Sequence, residues 1–276
     1  MRLYDLHIHT FLSDCASKTN ANPADYIQAA QEGGLVAIGF ADHAWDESIG
    51  GASAWYQKQP FSRLEKRKEI VADMLEKNLN IKVLFGAEAE FANGVLAVGE
   101  EAAAKLDYVI VPHSHTHMRG FVLPEGWESC EKHAQYLIKS FYALCTHAKR
   151  DLFFGIAHPM VPVGQKETEC ERIFDRITDA DLNECLSAAA ENGIFLELNM
   201  SSAGALQFET LQNSFLARFF RCAKKAGCSF FMGSDKHQAI PFGEPDRFFR
   251  IGEYMEKLGL EESDFEPALK KVISLK

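Results

Sequence analysis

The chain has no cysteines in C-x-x-C spacing, no glycine-rich phosphate loop, no basic stripe and no apolar run long enough to cross a membrane. Each absence removes a class of function. The seven cysteines are odd in number and scattered, which fits reduced thiols in a cytosol rather than a disulfide framework. Without G-x-G-x-x-G after the first apolar run, the dinucleotide-binding fingerprint is missing. Lys and Arg number 29 against 39 Asp and Glu, for a net charge of -10. Gripping a nucleic-acid backbone takes a basic surface, so no nucleic-acid partner is expected. A small anionic substrate remains compatible, because bound divalent cations reverse the local field. No membrane association is expected. The opening residues Met1-Arg2-Leu3-Tyr4-Asp5 hold no apolar signal segment, so a cytoplasmic location is expected.

What the chain does have is a regular alternation. Apolar runs at Leu3–His7, Leu35–Phe40, Ile81–Gly86, Tyr108–Val111, Leu152–Ala157, Ile194–Leu198 and Cys228–Met232 read as strands. Helical patterns follow most of them. Asn22-Pro23 caps a helix that stops at Gly33-Gly34. Phe61–Asn78 and Trp127–Arg150 read as long amphipathic helices, and Thr178 caps Asp179–Glu191. Glu209–Ala226, Glu244–Leu258 and Ser263–Ile273 complete the set. Strands alternating with helices mean a mostly parallel sheet. With no linker or composition shift, residues 1–276 read as a single domain. Polar residues gather at the ends of many different strands, which favours a distorted seven-stranded (β/α) barrel of the TIM type over an open sheet.

Those strand ends carry the chemistry. His7 and His9 alternate with Ile8, so both imidazoles leave the first strand on one face. Later runs end in Asp42-His43, Glu88-Ala89-Glu90, His113-Ser114-His115-Thr116-His117, His158, Asn199 and Asp235-Lys236-His237. Of ten histidines, His133 and His147 fall inside expected helices; the others sit at strand ends or just past them. A lone histidine is ordinarily a solvated or hydrogen-bonded residue. Many imidazoles and carboxylates at one mouth, with no cation, would leave repulsion and unpaired polar groups. About nine ligands are too many for one ion, and two or three are expected. Mixed imidazole and carboxylate ligation suits Zn, Mn or Fe. Such a cluster ionises bound water near neutral pH and clamps the oxygens of an in-line displacement, which is chemistry for hydrolysing a phosphate ester.

Taken in order, D-x-H-x-H-T with a following S-D, the Asp-His after strand two, G-x-E, the His-rich turn, A-H-P, L-E-L-N and S-D-x-H resemble the PHP (polymerase and histidinol phosphatase) family. The resemblance runs from Asp5 to His237. It implies a distorted seven-stranded barrel with a trinuclear metal centre acting on phosphoesters. Carried over by position, His7, His9, Glu88 and Asp235 would hold one ion. Glu88 would bridge to a second, held by a histidine of the His-rich turn and by His158. Asp14, His43 and His237 would hold a third. His113, His115 and His117 share one parity, so spacing does not choose among them; Pro112 ends the strand, which favours His115. Glu90 competes with Glu88, and the G-x-E context favours Glu88.

Glu88 and Asp235, with Arg119 as a fork for phosphate, are the candidate catalytic residues. His113, His117, Arg119 and Asn199 are the candidate substrate contacts, and Glu197 is placed to orient a ligand. The segment Ala44–Pro60, with Trp45, Trp55 and Tyr56, reads either as a lid or as packing that holds a loop down. Cys15, close behind the first motif, reads as a small buried hydrophobe. The leading expectation is a metal-dependent phosphatase for a small metabolite such as histidinol phosphate, attacked by metal-bound hydroxide. The alternatives are an amidohydrolase-type C–N or C–O hydrolase and a nucleotide phosphodiesterase.

Overall fold

The computed structural model describes residues 1–76, 79–147, 152–204, 206–239 and 247–275. Among these, every one of the expected strand runs forms. The strands are β1 Tyr4–Ile8, β2 Ala37–Phe40, β3 His43–Ala44, β4 Lys82–Phe85, β5 Ala87–Ala89, β6 Phe91–Ala92, β7 Val95–Leu96, β8 Tyr108–Pro112, β9 Phe153–Ala157, β10 Phe195–Asn199 and β11 Ser229–Gly233. Apart from the small β6–β7 hairpin, pairing is parallel throughout, so the fold is α/β. Hydrogen bonds divide the parallel strands into a three-stranded sheet, β1-β2-β4, and a six-stranded sheet, β11-β10-β9-β8-β5-β3. The two sheets meet where the His9 N–H donates to the Lys236 carbonyl and the Asp235 N–H to the His7 carbonyl, both at 2.8 Å. That seam sets the first and last strands side by side.

The helices are α1 Pro23–Glu32, α2 Lys66–Ile70, α3 Ala72–Leu75, α4 Glu100–Ala103, α5 Cys130–Cys145, α6 Glu167–Phe174, α7 Asp179–Glu191, α8 Met200–Gly204, α9 Phe215–Ala226, α10 Ile251–Leu258 and α11 Glu262–Ser274. Asn22 caps α1 as expected, its side chain accepting from the Ala24 N–H. Thr178 and Asp181 close a capping box on α7. No helix among the described residues is long and apolar enough to cross a membrane. Parts of the expected Phe61–Asn78, Trp127–Arg150 and Glu244–Leu258 helices lie outside the described residues.

The run after Phe61 departs from the expected single amphipathic helix. It is a 3-10 turn, Phe61–Glu65, followed by α2 and α3, broken at Val71, whose φ is −107°. Nor is it wholly a solvated outer face, because Arg67 is 1% exposed. Its guanidinium donates to the carbonyls of Leu64, Phe40 and Gly86 and pairs with Asp42 at 3.2 Å. Asp42 in turn accepts from the Thr10 N–H at 2.6 Å and from the Ser13 hydroxyl at 2.8 Å. A buried charge is tolerable when it is paired and hydrogen-bonded, and Arg67 is paired with Asp42 and has an acceptor at each guanidinium nitrogen. The effect is to tie the ends of β2 and β4 to the loop that follows β1.

A buried tyrosine fills the space between the sheets. Tyr108 donates from its hydroxyl to the Leu6 carbonyl at 2.8 Å. Its ring lies where a Cβ on Gly39 or Gly86 would collide with it, so those two glycines make room for it.

Candidate metal centre

The chain's polar strand ends converge on one carboxylate. Glu88, on β5, is 1% exposed. Its Oε2 lies 3.1 Å from His43 Nδ1, 3.3 Å from His9 Nε2 and 3.4 Å from His7 Nε2. Its Oε1 lies 3.1 Å from His158 Nε2 and 3.7 Å from His115 Nε2. The two oxygens therefore face two separate sets of imidazoles. Asp235, just past β11, brings Oδ1 to 3.4 Å from His9 and 3.6 Å from His7.

The outer hydrogen bonds decide what these imidazoles offer. His7 Nδ1 donates to Glu197 Oε1 at 2.7 Å, and His115 Nδ1 donates to Glu90 Oε2 at 2.8 Å. His158 Nδ1 meets the Ser114 hydroxyl at 2.8 Å; that hydroxyl donates to the His158 carbonyl, so it accepts from the ring. His9 Nδ1 meets Ser13 Oγ, whose proton is given to Asp42. His237 Nδ1 lies 2.9 Å from the Asp235 carbonyl, which can only accept. In each neutral ring the proton is held at Nδ1 and the Nε2 lone pair is left free, as a metal-ligating histidine requires. His43 differs: its buried Nδ1 faces Glu88 and has no hydrogen-bond partner.

The electrostatics show how strongly the site favours positive charge, whether a proton or a metal ion. Burial alone would lower His7, but Glu197, Glu88 and Asp235 hold it well above its ordinary value. Burial would lower His115 too, yet Glu90 and Glu88 push it up to about 9. Burial would raise Glu88, and His43, His7 and a hydrogen bond from His158 hold it well below the usual carboxylate range. The cluster is a buried negative well that holds positive charge, and lone pairs plus carboxylates fit a divalent ion. Donor atoms of His7, His9 and Glu88 lie within 4.8 Å of one another, as do those of Glu88, His115 and His158. Two of the converging residues sit in the left-handed region, His158 at φ 29° and Asp235 at φ 57°. Non-glycine residues hold such angles only where their surroundings compel it.

The pocket above the cluster encloses about 410 Å³ and is lined by His9, Cys15, His43, Trp55, Glu88, His115, His117, Met118, His158, Val163, Asp235 and His237. Several expected contacts lie elsewhere. His113 is turned away: Nδ1 pairs with Ser140 Oγ at 3.0 Å, and Nε2 accepts from the Met160 N–H at 3.0 Å. With both ring nitrogens used and no place in the pocket wall, it is a structural residue rather than a substrate contact. Asn199 is also absent from the pocket wall, donating to Glu197 and accepting from the Ser202 N–H. Arg119 is exposed and absent from the pocket wall, so its expected role as a phosphate fork has no geometry behind it. Asp14 is exposed, its N–H held by Gln59 Oε1 at 2.7 Å, and its neighbour Cys15 faces the pocket instead. Cys15 is therefore not the small buried residue expected. The segment 44–60 divides: Trp45 and Tyr56 are buried packing, whereas Trp55 reaches the pocket and stands edge-on to His43 at 5.0 Å. Glu90 lies behind the cluster, accepting from Tyr56 and His115.

The chain is similar in sequence to proteins named as probable phosphatases. A probable histidinol-phosphatase of Deinococcus radiodurans is 28% identical over 244 residues, 86% of each chain. A probable phosphatase of Acetivibrio thermocellus is 26% identical, covering 91% of this chain and 86% of that one. The fold is similar to a crystal structure of histidinol phosphate phosphatase from Lactococcus lactis in complex with zinc, L-histidinol and phosphate. That likeness has a TM-score of 0.62 and 16% identity over 94% of both chains. Residues 5–201, from the first strand to the end of β10 and just beyond, match the PHP domain. A match over that much of the sequence places this chain in the PHP domain family.

Proposed function

We propose that this chain is a cytoplasmic metal-dependent phosphomonoesterase, folded as one distorted barrel domain, that hydrolyses a small phosphorylated metabolite, with histidinol phosphate the first candidate. The observation that carries the reading is Glu88, whose two oxygens divide imidazoles with free lone pairs into two sets. His7, His9, Glu88 and Asp235 would hold one ion, and Glu88, His115 and His158 a second. His43 and His237 would serve a third. Zn, Mn and Fe all suit such ligands. Bound ions would supply a water nucleophile ionised near neutral pH and charge to neutralise phosphoryl oxygens. The protein's own part is orientation. Glu197, Glu90, Ser114 and Ser13 hold the rings so that their lone pairs converge. A pocket of about 410 Å³ suits a small metabolite. Trp55, Met118 and Val163 would rest against its organic part, while His117 stands at the wall to meet a phosphate oxygen.

The test is phosphate release from a panel of phosphomonoesters, including histidinol phosphate, nucleoside monophosphates, a sugar phosphate and a phosphotyrosine peptide. The protein is stripped with chelator and reloaded with Zn or Mn. Release restored by metal supports the reading, and His9→Ala and Asp235→Asn should each abolish it in a folded protein. Silence across the panel with metal bound would overturn it.

A further inference from the structure

The loop between β1 and α1 places a sulfur where the resemblance implies an oxygen. Ser13 is fixed by three contacts: its hydroxyl donates to Asp42 and accepts from His9 Nδ1 and from the His43 N–H. The next residue, Asp14, opens a 3-10 turn, Asp14–Ala16, with its N–H bound to Gln59. That turn directs Asp14 to solvent and Cys15 into the pocket wall. Ligand atoms of Cys15, His9 and His237 lie within 4.8 Å of one another. His9 and His237 stack with ring centroids 4.4 Å apart, and His43 lies on His9 with centroids 4.5 Å apart. His237 has Nδ1 tied to a carbonyl, which leaves Nε2 for a ligand. His43, 7% exposed, lines the same pocket, with its Nδ1 3.1 Å from Glu88 Oε2.

We propose that Cys15, and not Asp14, completes the third metal position, as a thiolate beside His237 with His9 and His43 adjoining. The inference rests on the metal-centre reading above and adds to it a sulfur donor. A thiolate is a soft ligand, which turns this position towards Zn and Co(II) and away from Mg and Mn. The other positions, built from imidazole and carboxylate, keep their tolerance for harder ions. The centre is then chemically uneven, with one thiol-dependent ion at the open side of the pocket.

The experiment reads metal and sulfur rather than turnover. The chelated protein is reloaded with Co(II) and its near-ultraviolet spectrum recorded, with metal content measured in parallel. Wild type should show a thiolate-to-cobalt charge-transfer band; Cys15→Ser should lose it together with about one ion per chain, and Asp14→Asn should keep both. A second measurement needs no variant. Maleimide labelling followed by peptide mass spectrometry should modify Cys15 in the stripped protein and spare it after Zn loading. Bound metal with no charge-transfer band, or equal labelling of Cys15 with and without Zn, would overturn the sulfur ligand and leave the rest of the centre standing. Failure of wild type to bind any divalent ion would remove both readings.

Discussion

Replacing Glu197 by glutamine tests how the centre is held, because the structure dictates which hydrogen bond must fail. Glu197 is 1% exposed and accepts from three donors. Oε1 takes His7 Nδ1 at 2.7 Å; Oε2 takes the His158 N–H at 2.6 Å and Asn199 Nδ2 at 3.1 Å. A carboxylate satisfies donors on both oxygens, but an amide has one acceptor oxygen and one NH2. The backbone N–H of His158 cannot reverse its role, so the amide oxygen is expected to face it. The NH2 then meets His7, whose ring must move its proton to Nε2. That nitrogen is the one beside Glu88 and Asp235, so a lone pair is exchanged for a proton. Losing a charge-assisted hydrogen bond costs about 1.5–3 kcal/mol. Loss of such an outer partner typically weakens metal affinity or activity about 10- to 100-fold. The assay is metal retention against a competing chelator, followed by kcat and KM for phosphate release. Glu197 is absent from the pocket wall, so kcat should fall with KM little changed. Retention and kcat within about twofold of wild type, in a folded protein, would refute the reasoning. Gly233→Ala offers a steric version of the test, because a Cβ there would overlap the Glu197 carboxylate.

Other outcomes follow from the same contacts. Arg67→Met removes the buried partner of Asp42 and strands three carbonyls, so unfolding by urea should show a loss of about 3–5 kcal/mol; a loss under about 1 kcal/mol would contradict the bracing role. Burial, with His158 and His115 nearby, lowers His113 to about 3. The unfolded chain takes that proton near pH 6.5 and the folded one does not until about 3, so stability should drain as pH falls through this window, by at most about 1.4 kcal/mol per unit. A His113→Asn protein should lose less stability across that interval, read by thermal melts at stepped pH. Arg119→Ala should leave kcat/KM within about twofold of wild type, since the side chain is exposed and outside the pocket; a large loss in steady-state kinetics would restore it as a phosphate contact.

The strands were legible in the sequence because each is an apolar run closed by polar residues, and burial on both faces of a parallel sheet leaves that mark. Caps at Asn22 and Thr178 were legible for a local reason, since a side chain bonds its own first turn. Arg67 was not, because a charge in an amphipathic run looks solvated until the carbonyls of Phe40 and Gly86 are brought to it. Parity along β8 could not separate His113 from His115: the strand ends at Pro112, and only the following turn decides which ring meets Glu88. Cys15 was hidden by a 3-10 turn, whose side-chain directions follow neither the period of a strand nor that of a helix. Its proximity to His7 and His9 was the available signal.

The seam between β1 and the end of β11 also bears on how the protein is made. The carbonyl of His7 waits for the N–H of Asp235, and His9 for Lys236, so residues of the first strand pair with residues made far later. Contacts this distant along the chain form slowly, and growing chains expose unpaired strand edges meanwhile. A nascent chain that already holds His7, His9 and Glu88 still lacks Asp235 and His237. Metal ions that need all of these residues would therefore wait until β11 has been made, and metal uptake would serve as a clock for closure of this seam.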